Sequence, residues 1–115
     1  MASRVTTWAP WSRRSGATFA RRCEALLAPV GYHVALAGSV LHRVSGHDLD
    51  LIIFPHDSTR RNRAGVYAAL ESIGMTRFAS RAKVTAHWRV RGSADRKWVE
   101  VWCWRDRRVD LFFLR

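Results

Sequence analysis

Acid is what this chain of 115 residues is short of: nine Asp and Glu face twenty Lys and Arg, a formal net charge of +11. The shortage points to a polyanionic partner such as a nucleotide, RNA or DNA. It equally describes a solvated basic surface, and charge alone does not separate the two. Lysine is nearly missing as well, with only Lys83 and Lys97. The positive charge is therefore guanidinium, which forks phosphate better than an ammonium does. Cysteine is limited to Cys23 and Cys103, too far apart for metal-ligand spacing, so they are expected to be reduced, buried thiols in a cytoplasmic protein. No apolar run approaches the roughly 20 residues of a membrane-spanning helix, and no membrane role is expected. The length suits one compact domain and leaves no room for a second stable one. Residues 1–15 contain no acid and little periodicity. They read as a basic, partly ordered arm, with residues 16–115 as the single domain. The arm is too short, and too poor in helical pattern, for a targeting segment. Its Trp8 and Trp11 suit base stacking, covering a small core, or meeting a partner chain.

What is present is concentrated in Leu36 to Pro55, LAGSVLHRVSGHDLDLIIFP. Gly38 and Ser39 end an apolar run, a short polar connection follows, and then Asp48 and Asp50 alternate with Leu49 and Leu51. Alternation of this kind puts both carboxylates on one face of a strand and both leucines on the other. Two acids side by side repel, and a cation bridging them would remove that cost. Hard oxygen ligands on a rigid backbone suit Mg²⁺ or Mn²⁺.

A Gly-Ser pair, a loop and an Asp-x-Asp strand, each flanked by apolar strand, resemble the signature of the DNA polymerase β-like nucleotidyltransferase superfamily. The resemblance covers Leu36 to Phe54 most firmly. It implies that Gly38 and Ser39 hold the triphosphate of an incoming nucleotide, and that Asp48, Asp50 and a third acid on a later strand hold the metals. Glycine admits a phosphate close to the backbone, and a hydroxyl with nearby N–H groups can donate to it. Arg43, in the connection after Ser39, is expected to contact the triphosphate, beside His42 in the same loop. The chain departs from small relatives in lacking an Arg-Gly sequence after the Gly-Ser pair.

Around this stretch the chain reads as α+β. Phe19, Cys23, Leu26, Leu27 and Val30 recur at helical spacing, so a helix is expected from about Gly16 to Val30, ended by Pro29 and Gly31. Tyr32 to Ala37 and Asp48 to Phe54 are strands. A second helix is expected after an Asp57 or Ser58 cap, with Val66, Leu70 and Ile73 turned inward and Gly74 closing it. Arg60, Arg61 and Arg63 in its first turns oppose the helix dipole, which suits either a docked anion or a solvated face. The remainder reads as strands, Thr76 to Ala79, Val84 to Val90, Lys97 to Trp104 and Arg107 to Leu114, joined as an antiparallel meander. In the third of these, Trp98, Glu100, Trp102 and Trp104 share a face, expected to pack beneath a helix. The fold class is thus a mixed or antiparallel sheet of about five strands with two main helices packed on it, nucleotidyltransferase-like.

Asp110 sits between apolar neighbours with no adjacent charge, where burying a lone carboxylate is costly unless it meets a metal or a cation. It is the leading candidate for the third metal acid, with Glu100 as competitor. On this reading Asp48, Asp50 and Asp110 are both catalytic and metal-binding. The reaction implied by the resemblance moves a nucleoside monophosphate from an NTP substrate to a hydroxyl of RNA, a nucleotide, a protein or a small molecule. Many relatives add a domain or helical bundle for the acceptor. None is evident here, so that half is expected from a protein partner, from self-association, or not at all. The alternative is a non-catalytic nucleotide- or nucleic-acid-binding module, an antitoxin- or phage-type regulatory partner, since standalone relatives occur in toxin–antitoxin pairs and phage genomes.

Overall fold

A computed structural model describes residues 8–38, 45–46, 48–57, 61–78 and 97–114. In chain order the elements are β1 (Trp11–Ser12), α1 (Arg13–Leu27), β2 (Tyr32–Ala37), β3 (Ser45–Gly46), β4 (Asp48–Pro55), α2 (Arg63–Ser72), β5 (Thr76–Arg77), β6 (Lys97–Trp104) and β7 (Arg107–Leu114). The fold is α+β: among the described residues it has a five-stranded mixed sheet in the order β2-β4-β7-β6-β5, two α-helices, and a small β1-β3 ladder. The expected strand at Val84 to Val90 lies outside the described residues.

The last strands do form antiparallel neighbours, but β7 also inserts beside β4 as its parallel partner. This placement follows from hydrophobicity. Leu49, Leu51 and Ile53 of β4 register with Val109, Leu111 and Phe113 of β7, and all six are buried. Their shared face meets Phe19, Cys23 and Leu27 of α1 and Val66 and Leu70 of α2, in one core. The strands at the middle of the sheet are apolar on the face that helices cover, as a two-layer domain requires. The β6–β7 connection is a two-residue turn with Arg105 at φ 50° and Asp106 at φ 60°, the type I′ geometry that matches the twist of paired strands.

Among the described residues no helix is long and apolar enough to cross a membrane. Cys23 and Cys103 are free thiols, and burial pushes Cys23 up to about 12, which leaves it unreactive.

The structure corrects the bounds of both helices, and α1 stops at Leu27, where a 3-10 turn over Ala28–Val30 replaces the expected last turn. The described part of the expected arm is ordered: α1 begins at Arg13, before Gly16, and Trp11 is 1% exposed. Ser12 and Ser15 form a reciprocal cap, each side-chain oxygen accepting the other's backbone N–H at 2.9 Å. That cap satisfies two N-terminal groups that would otherwise lack partners. The Trp11 indole fills the core edge beside Phe19 and donates from Nε1 to the Arg108 carbonyl at 2.8 Å. Trp8 packs edge-on against Phe78. Both tryptophans therefore cover the fold. The second correction concerns α2, whose cap is Asn62 in place of Asp57 or Ser58. Its Oδ1 accepts the Gly65 N–H at 3.0 Å, and its own N–H is held by the Tyr32 hydroxyl at 3.0 Å. Gly65, without a Cβ, lets the Asn62 side chain lie over the first turn. Ser58 and Arg60 lie outside the described residues, while Arg63 stacks on the Phe113 ring at 4.6 Å. At the other end Gly74, at φ 91°, donates to Glu71 and Met75 donates to Leu70, a Schellman close of the kind glycine permits.

Trp11→Ala removes a buried aromatic and strands the Arg108 carbonyl, so it is expected to cost about 3–5 kcal/mol. Chemical denaturation of the two proteins measures this, and a change within experimental error would return residues 8–12 to a dispensable arm.

Candidate metal centre

Asp48 and Asp50 leave β4 on the side away from the helices, because Leu49 and Leu51 occupy the helix side. The parallel neighbour supplies the third acid. Asp50 registers with Asp110, as Leu51 does with Leu111, so the carboxylates share one face by the same alternation that buries the leucines. One oxygen from each of Asp48, Asp50 and Asp110 lies within 4.8 Å of the others. The three expected acids therefore converge, two from one strand and one from the next.

Register also separates Glu100 from this group. It pairs with Leu111, which places it on the helix side of the sheet. There it is fully buried, accepting from Tyr67 Oη at 2.6 Å and Trp102 Nε1 at 2.9 Å, with Arg77 Nε at 3.9 Å. Burial and this short bond to the carboxylate raise the Tyr67 hydroxyl above its usual range. Glu100 thus anchors α2 to β6. Of the tryptophans expected on this face, Trp102 is buried and Trp104 is half-buried, donating to the Ile73 carbonyl at 3.0 Å at the end of α2.

The acids depart from ordinary carboxylate behaviour. Burial, followed by the nearby Asp48 and Asp110 carboxylates, pushes Asp50 up to about 7. Asp110 is raised as well, chiefly by burial, although Arg108 works in the opposite direction. Arg108 is the member that sequence reasoning missed. Its Nε donates to Asp110 Oδ1 at 2.8 Å and its Nη2 to Oδ2 at 3.3 Å, a two-pronged fork. Asp110 has no charged residue directly beside it in sequence, but neighbours on a strand face stand two positions apart, and Arg108 is that neighbour.

Gly38 follows β2, where Ala37 pairs with Asp50. It adopts φ 81°, and a methyl group built on it would overlap Asp50 Oδ2 and stand 2.8 Å from Cγ. Glycine is required here on two counts, the left-handed backbone and the space taken by the Asp50 carboxylate. Ser39, Arg43 and His42 lie outside the described residues.

The donor set fits a small hard cation. Three carboxylates on adjacent strands present only oxygen and, when ionised, carry surplus negative charge. Compared with protein-family models and with curated proteins, the chain matches none.

Gly38→Ala is expected to cost about 1–3 kcal/mol, from left-handed strain and displacement of Asp50, and to weaken Mn²⁺ binding measured by calorimetry. Unchanged stability and Mn²⁺ affinity would show that Asp50 does not depend on the gap. The pH dependence follows from Asp50, whose folded value lies above its unfolded one. Its contribution to stability is complete below about pH 4 and disappears as pH rises through about 7. Without metal, native protein should lose about 2 kcal/mol relative to Asp50→Asn between those limits, after discounting for the solvent that reaches the site. Parallel stability curves for the two proteins would refute this.

Proposed function

We propose that the chain is a small metal-dependent nucleotidyltransferase, moving a nucleoside monophosphate from an NTP to a hydroxyl acceptor. The observation that carries this reading is the convergence of Asp48, Asp50 and Asp110 within 4.8 Å, beside a glycine whose missing side chain makes room for one of them. It agrees with the resemblance of Leu36 to Phe54 to the DNA polymerase β-like signature.

Asp48, Asp50 and Asp110 would hold Mg²⁺ or Mn²⁺. Such ions supply charge neutralisation for the triphosphate and a lowered pKa for the acceptor hydroxyl. Gly38 would leave the backbone open to a phosphate, with Ser39 and Arg43 as further contacts to it. The acceptor oxygen forms a bond to the α-phosphorus as the bond to pyrophosphate breaks. Asp110, whose carboxyl is raised by burial, is the group assigned to take the hydroxyl proton. For this Arg108 must leave at least one Asp110 oxygen, and a triphosphate offers the guanidinium a replacement anion. Two free thiols suit a reducing, cytoplasmic setting.

One observation favours a second reading, a non-catalytic nucleotide-binding module. Arg108 already gives Asp110 a cation of its own, so the buried acid is compensated without metal.

The thermal midpoint with each nucleoside triphosphate and Mg²⁺ tests nucleotide binding. A triphosphate at about 100 times its Kd should add about 2.7 kcal/mol to native protein, with little effect on Asp50→Ala. No shift with any triphosphate would overturn both readings. Pyrophosphate release in the presence of an acceptor then separates them, because only the transferase produces it.

A further inference from the structure

At the hairpin end of the sheet, three arginines gather around two stacked indoles. Trp11 and Trp104 lie 6.1 Å apart with planes 10° from parallel, and Phe19 packs 4.4 Å from Trp104. Arg105 lies over the Trp104 ring at 4.5 Å, Arg22 approaches the same ring at 6.0 Å, and Arg107 lies over Trp11 at 5.5 Å. Arg22 and Arg105 are exposed and Arg107 is half-buried, with its Nε donating to the Pro10 carbonyl at 3.1 Å. Among the described residues no carboxylate stands within ion-pair distance of these three guanidiniums. Asp106, exposed in the turn between two of them, is the acid nearest in sequence.

We propose that this surface binds the phosphodiester backbone of a nucleic acid through Arg22, Arg105 and Arg107. Gathering like charges is unfavourable unless an anion answers them, and attraction to the indole faces draws Arg105 most closely, with Arg107 and Arg22 farther out. A guanidinium so placed still has N–H groups to fork phosphate oxygens. Three cations, contributed by α1, the turn and β7, suit a partner with repeating phosphates. The indole faces are taken by arginines and by each other, so bases have no platform to stack on. Recognition is therefore of backbone, without sequence preference. Arg14 and Arg21 are also exposed on α1 and extend the positive charge along it.

The surface does not depend on nucleotidyl transfer. Arg107 and Arg108 point to opposite faces of β7, so the arginines and the acids occupy two sides of the same sheet end. Where both hold, the bound nucleic acid is the class of the acceptor, an assignment that rests on the transferase reading.

Fluorescence anisotropy with a labelled single-stranded RNA, a single-stranded DNA and a DNA duplex, all in EDTA, tests the surface apart from any metal. Native protein and Asp50→Asn should bind alike, with affinity falling steeply between about 50 and 200 mM salt. The pair Arg22→Gln/Arg105→Gln should lose about tenfold and lower the salt slope by one to two. Arg61→Gln/Arg63→Gln removes the same charge from the N-terminal end of α2 and the residue before its cap, and should lose less than about twofold if location matters. The pair Arg22→Lys/Arg105→Lys keeps the charge, and should hold the slope while losing part of the affinity. Equal losses in the two glutamine pairs, salt-insensitive binding, or displacement by polyglutamate as readily as by unlabelled RNA would each overturn the proposal. The last would indicate an acidic protein partner instead.

Discussion

The parallel pairing of β4 with β7 is the constraint on which this molecule depends. It brings Leu49, Leu51 and Ile53 against Val109, Leu111 and Phe113, and these side chains form the floor on which both helices rest. The same register sets Asp50 beside Asp110 on the reverse face. A slip of one residue would turn each strand's leucines outward and its acids into the core. Burial of the apolar face therefore holds the acids together, although they repel one another.

That arrangement divides the sheet into two chemistries. On the helix side the one fully buried carboxylate among the described residues, Glu100, is enclosed and accepts from Tyr67 and Trp102, so it acts as a polar tie between α2 and β6. On the other side three carboxylates share a small volume, and burial with mutual repulsion raises Asp50 and Asp110. Arg108 offsets part of that cost through its fork to Asp110. The contrast is physical: a buried acid with donors from several elements is structural, whereas clustered acids with one arginine among them retain unanswered charge.

Much of this was legible in the chain. Helical spacing identified Phe19, Cys23, Leu27, Val66 and Leu70 as inward positions, because burial on one side of a helix leaves that pattern whatever the partner. Alternation in β4 assigned Asp48 and Asp50 to one face. The start of α1 was missed because Ser15 occupies the position where a Glu or Gln usually signals the reciprocal cap, and because Trp11 is core only once β7 provides the Arg108 carbonyl for its indole. Asn62 is not distinguished as the cap by local sequence, since its N–H is held by Tyr32, thirty residues away.

What the sequence by itself determined is the local pattern: which side chains share a face, where glycine must end an element, and that two acids on one strand point the same way. These follow from backbone periods of two and 3.6, which any chain obeys. Only the tertiary structure decided the third acid. Asp110 and Glu100 each interrupt an apolar strand, and the local apolar context that ranks Asp110 first does not say which face of the sheet either one joins. Strand order and register place one beside Asp50 and turn the other toward the helices, because pairing joins residues far apart in the chain and fixes a common face for both.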